Sequence, residues 1–330
     1  WLDVLVECAR RRGLKGGVEI SHTFYDTKKA MAECPDVLQK DIHGRPIPQH
    51  FCCNNDDVRE YMRVLFSESV KQHDVDFIQT CMMLFHHGEP IKTPWFLPNE
   101  TDPKLAALLG VVTGGCFCEH CRAKAISMGY DWDHIVEKLK ELERIVTATP
   151  YINNDQCMEL QMLMDSNLTE AGLMMEYPEL HQFLEFRMKS ITSLFSTIYT
   201  SIKAVKPNID FRYNNYLRYP ELAGLDYKAV APYLDSVRDS DYTEQRKVTD
   251  NFEYKRHTIN KIRRGIGFDK PVLAAFAVRP NATPQILRDS IGTLAQVGVD
   301  GFSLGHYDGS TKPLLRAVKE AMEEYDIQLK

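Results

Sequence analysis

Short apolar and β-branched runs alternate along this chain with segments whose apolar residues recur at helical spacing. The spacing predicts a helix over 1–12, closed by Gly13, and a strand over 17–21. A short strand is expected at 49–53. Over 57–71, Val58, Met62, Leu65 and Phe66 fall on one helical face. Residues 76–82 read as a buried strand, and a long excursion over 85–121 follows. Helices are expected at 119–128, 132–146 and 178–205, with Pro207 ending the last. The rhythm then becomes regular. Strands at 209–216, 234–242, 271–278 and 299–304 alternate with helices at 251–264, 283–297 and 312–325, and Thr283-Pro284 provides a cap and first turn.

This alternation is the pattern of an α/β fold, a parallel sheet with crossover helices. It yields seven strands, one fewer than a (β/α)8 TIM barrel. The chain opens at Trp1, inside an expected helix and without Met. The expectation is therefore a single barrel domain over 1–330 that lacks its first strand, with an excursion at about 85–178.

Composition narrows the class. With 44% apolar and 26% charged residues the chain is an ordinary globular one. A net charge of −6 and a pI near 6.0 give no electrostatic footprint for nucleic acid. No apolar run reaches membrane-spanning length and no signal peptide is visible. Nine cysteines, odd in number and partly clustered, do not read as a disulfide framework, which favours the cytoplasm. A homo-oligomer is compatible with all of this.

Three cysteines stand within six residues as Cys116-x-Cys118-x2-Cys121. A tetrahedral zinc site accounts for that density, because Zn²⁺ takes four thiolate or imidazole ligands. The fourth ligand must come from elsewhere, and Cys52 or Cys53 is best placed. Cys8, Cys34 and Cys157 read as unrelated apolar cysteines.

The order His50-Phe51-Cys52, then Val58-Arg59-Glu60, then the cysteine triplet resembles the (β/α)8 glycoside hydrolases of family 42, β-galactosidases with a four-cysteine zinc site. The resemblance implies Cys52, Cys116, Cys118 and Cys121 as ligands of a structural zinc. It also places the family's two catalytic glutamates at Met83 and near Ala277, so the retaining carboxylate pair is absent.

Catalytic groups of such barrels lie at the C-terminal ends of strands. Those ends carry Glu19 and His22; His86 and His87; Arg212 and Asn214; Arg238, Asp239, Asp241 and Tyr242; Arg279; and His306 with Tyr307. Three arginines from three strands suit an anionic sugar, because guanidinium grips a carboxylate in a bidentate fork. The surviving histidines are similar in role to those of the inverting family 156 exo-sialidases. The expectation is a glycosidase, exo-acting on an acidic sugar with inversion. His86, His87 and Asp239 are its candidate catalytic groups, and a carboxylate at or beyond the edge of this chain completes the pair. The competing readings are a carbohydrate-binding barrel without catalysis and a neutral-sugar hydrolase.

Overall fold

A computed structural model describes residues 1–21, 26–81, 83–86, 111–112, 114–146, 170–217, 220–242, 244, 252–279, 281–305 and 309–325. In chain order the elements are α1 (Leu2–Arg10), β1 (Gly17–Ser21), α2 (Thr27–Glu33), β2 (Leu38–Lys40), β3 (Pro46–Phe51), α3 (Asp56–Gln72) and β4 (Phe77–Cys81). Then come α4 (Glu119–Ser127), α5 (Trp132–Val146), α6 (Glu170–Glu176), α7 (Pro178–Val205), β5 (Asp210–Asn215), α8 (Tyr227–Val230) and β6 (Ser236–Asp239). The chain continues through α9 (Glu253–Ile266), β7 (Val272–Ala277), α10 (Pro284–Gln296), β8 (Gly301–Gly305) and α11 (Lys312–Glu324).

Six strands form one parallel sheet in the order β1-β4-β5-β6-β7-β8, curled like part of a barrel. Among the described residues the sheet runs from β1 on one side to β8 on the other, and these six strands do not by themselves close an eight-stranded barrel. The stretch 49–53, expected as a barrel strand, belongs instead to an antiparallel hairpin of β2 and β3. Its turn explains why. The Asp41 carboxylate accepts from the backbone N–H of His43 and Arg45, and Gly44 takes φ 81°. Pro46 and Pro48 lack the N–H that a central strand needs.

Alternation along the strands divides the sheet into two faces. The outer face is apolar: Ile78, Phe211, Tyr213, Val237 and Phe276 are fully buried under the helices. The 28-residue α7 is the main cover, and its Phe195 ring lies 5.6 Å from Tyr213 and 6.1 Å from Phe211. Burying one such side chain stabilises by about 1.5–3 kcal/mol. Side-chain caps start the flanking helices, with Asn55 accepting from Val58 N–H at 3.1 Å and Thr283 from Ile286 N–H at 3.2 Å. Among the described residues no helix is long and apolar enough to cross a membrane.

One buried ion pair locks β6 and β7 to their helices. Lys255 on α9 is 1% exposed and Glu244, just past β6, is 0% exposed. The Lys255 ammonium donates to Glu244 at 2.5 Å and to the carbonyls of Asp241 and Ala275, which uses all three of its donors. Glu244 also accepts from Ala277 N–H and from the Ser290 hydroxyl of α10. Breaking such a pair strands a buried charge. Lys255→Met is expected to cost about 3–5 kcal/mol in urea denaturation, and Glu244→Leu added to it should restore most of that loss.

Candidate active site and metal centre

The cysteine cluster is assembled by the hairpin and the start of α4. Cys52 follows β3, Cys116 and Cys118 precede α4, and Cys121 sits in its first turn. All four are buried, and their sulfur atoms lie within 4.8 Å of one another. The Cys52 sulfur is 3.4 Å from that of Cys118 and 3.6 Å from that of Cys121. Four sulfurs tetrahedrally arranged about a cation at 2.3 Å stand roughly 3.8 Å apart. Burial pushes the Cys116 and Cys121 thiols up, so four thiolates coexist there only around a cation. Two neutral donors already face the cluster: Lys40 N–H points at Cys116 and the Asn54 amide at Cys121, each at 3.4 Å. Asn54 also reaches Ser190 of α7, at 3.1 Å. Cys53 turns away and packs with Met62, Met83 and Leu194.

Arg187 of α7 holds the approach to the triplet. It is fully buried, donates to the carbonyls of Leu222, Val111 and Gly114, and lies 4.2 Å over the Phe183 ring. Burial pulls its pKa down to about 9. Gly115 follows with φ 94°, and a Cβ there would come within 2.8 Å of the guanidinium.

The inner face of the sheet is polar, in contrast to the branched apolar layers that usually fill a barrel. Three groups stand on it. Near the strand starts, Arg212 pairs with Asp210 at 2.5 Å, donates to Ser236 and covers the Phe77 ring. On β1 and β4, Gln79 donates to one Glu19 oxygen at 2.8 Å and the Cys81 thiol to the other at 3.4 Å. On β5, β6 and β8 lies a network around Arg238. Its guanidinium donates to Ser303 Oγ at 2.8 Å, Asn214 Oδ1 at 2.8 Å, Tyr242 Oη at 2.9 Å, and Ser240 Oγ. All four acceptors are neutral. Among the described residues no carboxylate pairs with Arg238, so its charge is uncompensated within the network. The Tyr242 ring is admitted by Gly305, where a Cβ would come within 2.3 Å of it.

The structure therefore brings Glu19, Asn214, Arg238 and Tyr242 to one face. Arg212 shares that face, two positions below Arg238 in register, but is committed to Asp210. Arg279 is exposed beyond β7. Asp241 is half-buried, its carbonyl accepting from Lys255. His86 lies between the hairpin and the cysteine segment: its ring is 5.1 Å from that of His50, its N–H donates to buried Gln39, and its carbonyl accepts from Gly115. His22, His87, His306 and Tyr307 lie outside the described residues. Met83 is buried among apolar neighbours, and Ala277 binds Glu244 through its N–H. Gln79, Cys81, Ser240 and Ser303 went unnoticed in the sequence. For Ser240 the signal was the polar residue at every second position, as in Ser236-x-Arg238-x-Ser240 beside Asp210-x-Arg212-x-Asn214.

Asp239 points to the outer face and is 3% exposed, with the Asn215 amide donating to it at 2.8 Å. Burial raises its pKa from 3.8 to about 7. The folded chain thus holds this proton where the unfolded chain has lost it. Stability contributed by this residue is greatest at low pH and declines as pH rises from about 4 through 7. The cost above that window is on the order of 4 kcal/mol. Asp239→Asn should be free of this decline. Urea denaturation at acid and alkaline pH measures it: the wild type is expected to weaken relative to the variant on the alkaline side.

No family model matches the sequence, and no curated protein matches it. Solved structures do. A polyextremophilic β-galactosidase from the Antarctic haloarchaeon Halorubrum lacusprofundi superposes with TM-score 0.61 at 16% identity, over 99% of this chain and 50% of that one. A β-galactosidase from Bacillus circulans sp. alkalophilus gives 0.60 at 15%, over 99% and 48%. The catalytic domain of a β-amylase from Paenibacillus polymyxa gives 0.52 at 12%, over 98% and 84%. The chain spans about half the length of those β-galactosidases. At these identities the likeness is one of fold: this chain is built like the barrel glycosidases.

Proposed function

We propose that this chain is a glycoside hydrolase acting on an acidic sugar, with an exo-sialidase as the most specific form of that reading. Arg238 carries the proposal. A guanidinium fixed by four neutral acceptors on the inner face of a glycosidase-like sheet offers its charge to a ligand, and a planar fork suits a sugar carboxylate. Asn214, Ser240, Ser303 and Tyr242 supply hydroxyl and amide groups beside it for sugar hydroxyls. The likeness in fold to β-galactosidases and a β-amylase supports a carbohydrate substrate.

The chemistry follows from what is missing. A retaining glycosidase needs two carboxyl groups about 5–5.5 Å apart. Met83 and Ala277 stand where the resemblance puts that pair, one packed in the core and the other a methyl group. Inversion by direct attack of water needs no enzyme nucleophile. In this reading His86 or His87 protonates the leaving oxygen.

The four-cysteine cluster is proposed to hold zinc. Four thiolates leave no open position, so the ion supplies no chemistry to the reaction and serves to hold the hairpin against α4. Protein isolated without chelators is expected to contain about one zinc per chain. Cys52→Ser should lose the metal and melt earlier, and Asn54→Ala should weaken metal affinity by about 10–100-fold. Metal analysis and thermal denaturation read both. Zinc-free protein of unchanged stability contradicts the assignment.

A panel of 4-nitrophenyl glycosides that includes the glucuronide and N-acetylneuraminide tests the function. The anionic members should be turned over, with proton NMR showing the inverted anomer first. Arg238→Ala should weaken their binding by about 1.5–3 kcal/mol, and Arg238→Lys should recover only part. Turnover of a galactoside but of no anionic member would remove the acidic-sugar reading. Binding without any turnover would favour a carbohydrate-binding barrel.

A further inference from the structure

We infer that Glu19 is the general base that activates the hydrolytic water, an assignment that rests on the glycosidase reading above. Among the described residues two carboxylates stand on the inner face of the sheet, Glu19 and Asp210. Asp210 is consumed by Arg212 and by the Ser236 hydroxyl at 2.6 Å. Asp239 faces the helices, and Glu244 is sealed against Lys255. Glu19 is exposed, and no ion pair involves it among the described residues.

The register shows where its carboxylate reaches. Glu19 pairs with Gln79 and Ser21 with Cys81. Contact with the Cys81 sulfur brings the Glu19 carboxylate up to the level of Ser21 and Cys81, at the C-terminal end of the sheet. Thr80 pairs with Tyr213, so Cys81 stands level with Asn214, which in turn pairs with Arg238. Cys81, Asn214 and Arg238 therefore line one rung, and Glu19, whose backbone stands one rung below with Gln79 and Arg212, reaches that rung through its contact with Cys81. Two inter-strand spacings separate Cys81 from Arg238, about 10 Å along the sheet. A sugar whose carboxylate rests on Arg238 extends over Asn214 toward Glu19.

The two donors define the role. Gln79 N–H and Cys81 S–H address different oxygens of Glu19 and fix the plane of the carboxylate. Both oxygens accept, which is the arrangement of a base and not of a proton donor. In the step, the water oxygen forms a bond to the anomeric carbon as the bond from that carbon to the leaving oxygen breaks. Glu19 takes one proton from the water, and the leaving oxygen receives one from the general acid. Glycoside and water become free sugar and alcohol, with no other reactant. Gln79 and Cys81 are positioning residues.

The test compares wild type, Glu19→Gln, Glu19→Asp and Gln79→Leu on the 4-nitrophenyl glucuronide and N-acetylneuraminide. Glu19→Gln is expected to lower kcat by about 10²–10⁴-fold, to leave KM nearly unchanged, and to abolish the acidic limb of the kcat/KM profile. Glu19→Asp should regain part of the rate, and Gln79→Leu should lose less than Glu19→Gln. Circular dichroism checks that each variant is folded. A Glu19→Gln variant at wild-type kcat, or one whose loss lies in KM alone with the acidic limb intact, overturns the assignment and leaves the glycosidase reading standing. A wild type inert toward the whole panel overturns both.

Discussion

The convergence of four sulfurs is the constraint around which the first half of this molecule is arranged. Cys52 ends a hairpin that lies outside the parallel sheet, and the other three open α4, more than sixty residues later. Two strands alone are marginal in water, and this hairpin is held by burial of Leu38, Ile42 and Cys52 in the core. The four sulfurs tie its end to the start of α4. Asn54 carries the connection onward to Ser190 of α7, the helix that covers the sheet. Arg187 on that helix fixes the segment leading into Cys116. The hairpin in turn fixes His86, through Gln39, whose amide nitrogen donates to the carbonyls of Phe51 and Leu84 while its oxygen accepts from His86.

The second half depends on a different division of labour. Strands β5 and β6 present mainly apolar groups outward to the helices and polar groups inward, while β7 turns Leu273, Ala275 and Ala277 inward. A closed barrel normally fills its interior with branched side chains. Here the interior holds arginines, an amide and hydroxyls that satisfy one another, and buried polar groups are tolerable only when so paired. Arg212 and Arg238 illustrate two outcomes of the same placement. One has a carboxylate two residues away on its own strand and becomes structural. Among the described residues the other hydrogen-bonds to neutral oxygens alone.

Met83 and Ala277, where the resemblance puts the family's glutamates, are both built into the surrounding structure. Met83 completes a core pocket with Met62, Cys53 and Leu194, and Ala277 anchors the Glu244–Lys255 pair through its backbone. Reintroducing a carboxylate at either place would bury a charge without a partner, which is costly. Both positions serve packing and pairing in this structure.

The sequence by itself determined the alternation of strands and helices and the cysteine triplet, and narrowed its partner to Cys52 or Cys53. Each of these is local or tied to a fixed spacing, and so legible in one dimension. The sequence also carried a misleading run at 49–53, whose β character was right and whose sheet was wrong, because pairing partners are chosen across space. Only the tertiary structure decided that the sheet has six described strands, that Asp239 faces the helices while Arg238 faces inward, and that Arg212 is already paired. It also decided that Gln79 and Cys81 hold Glu19. Neighbours in sequence fall on opposite faces of a strand, whereas these partners are dozens of residues apart, brought together by a register that no single strand encodes.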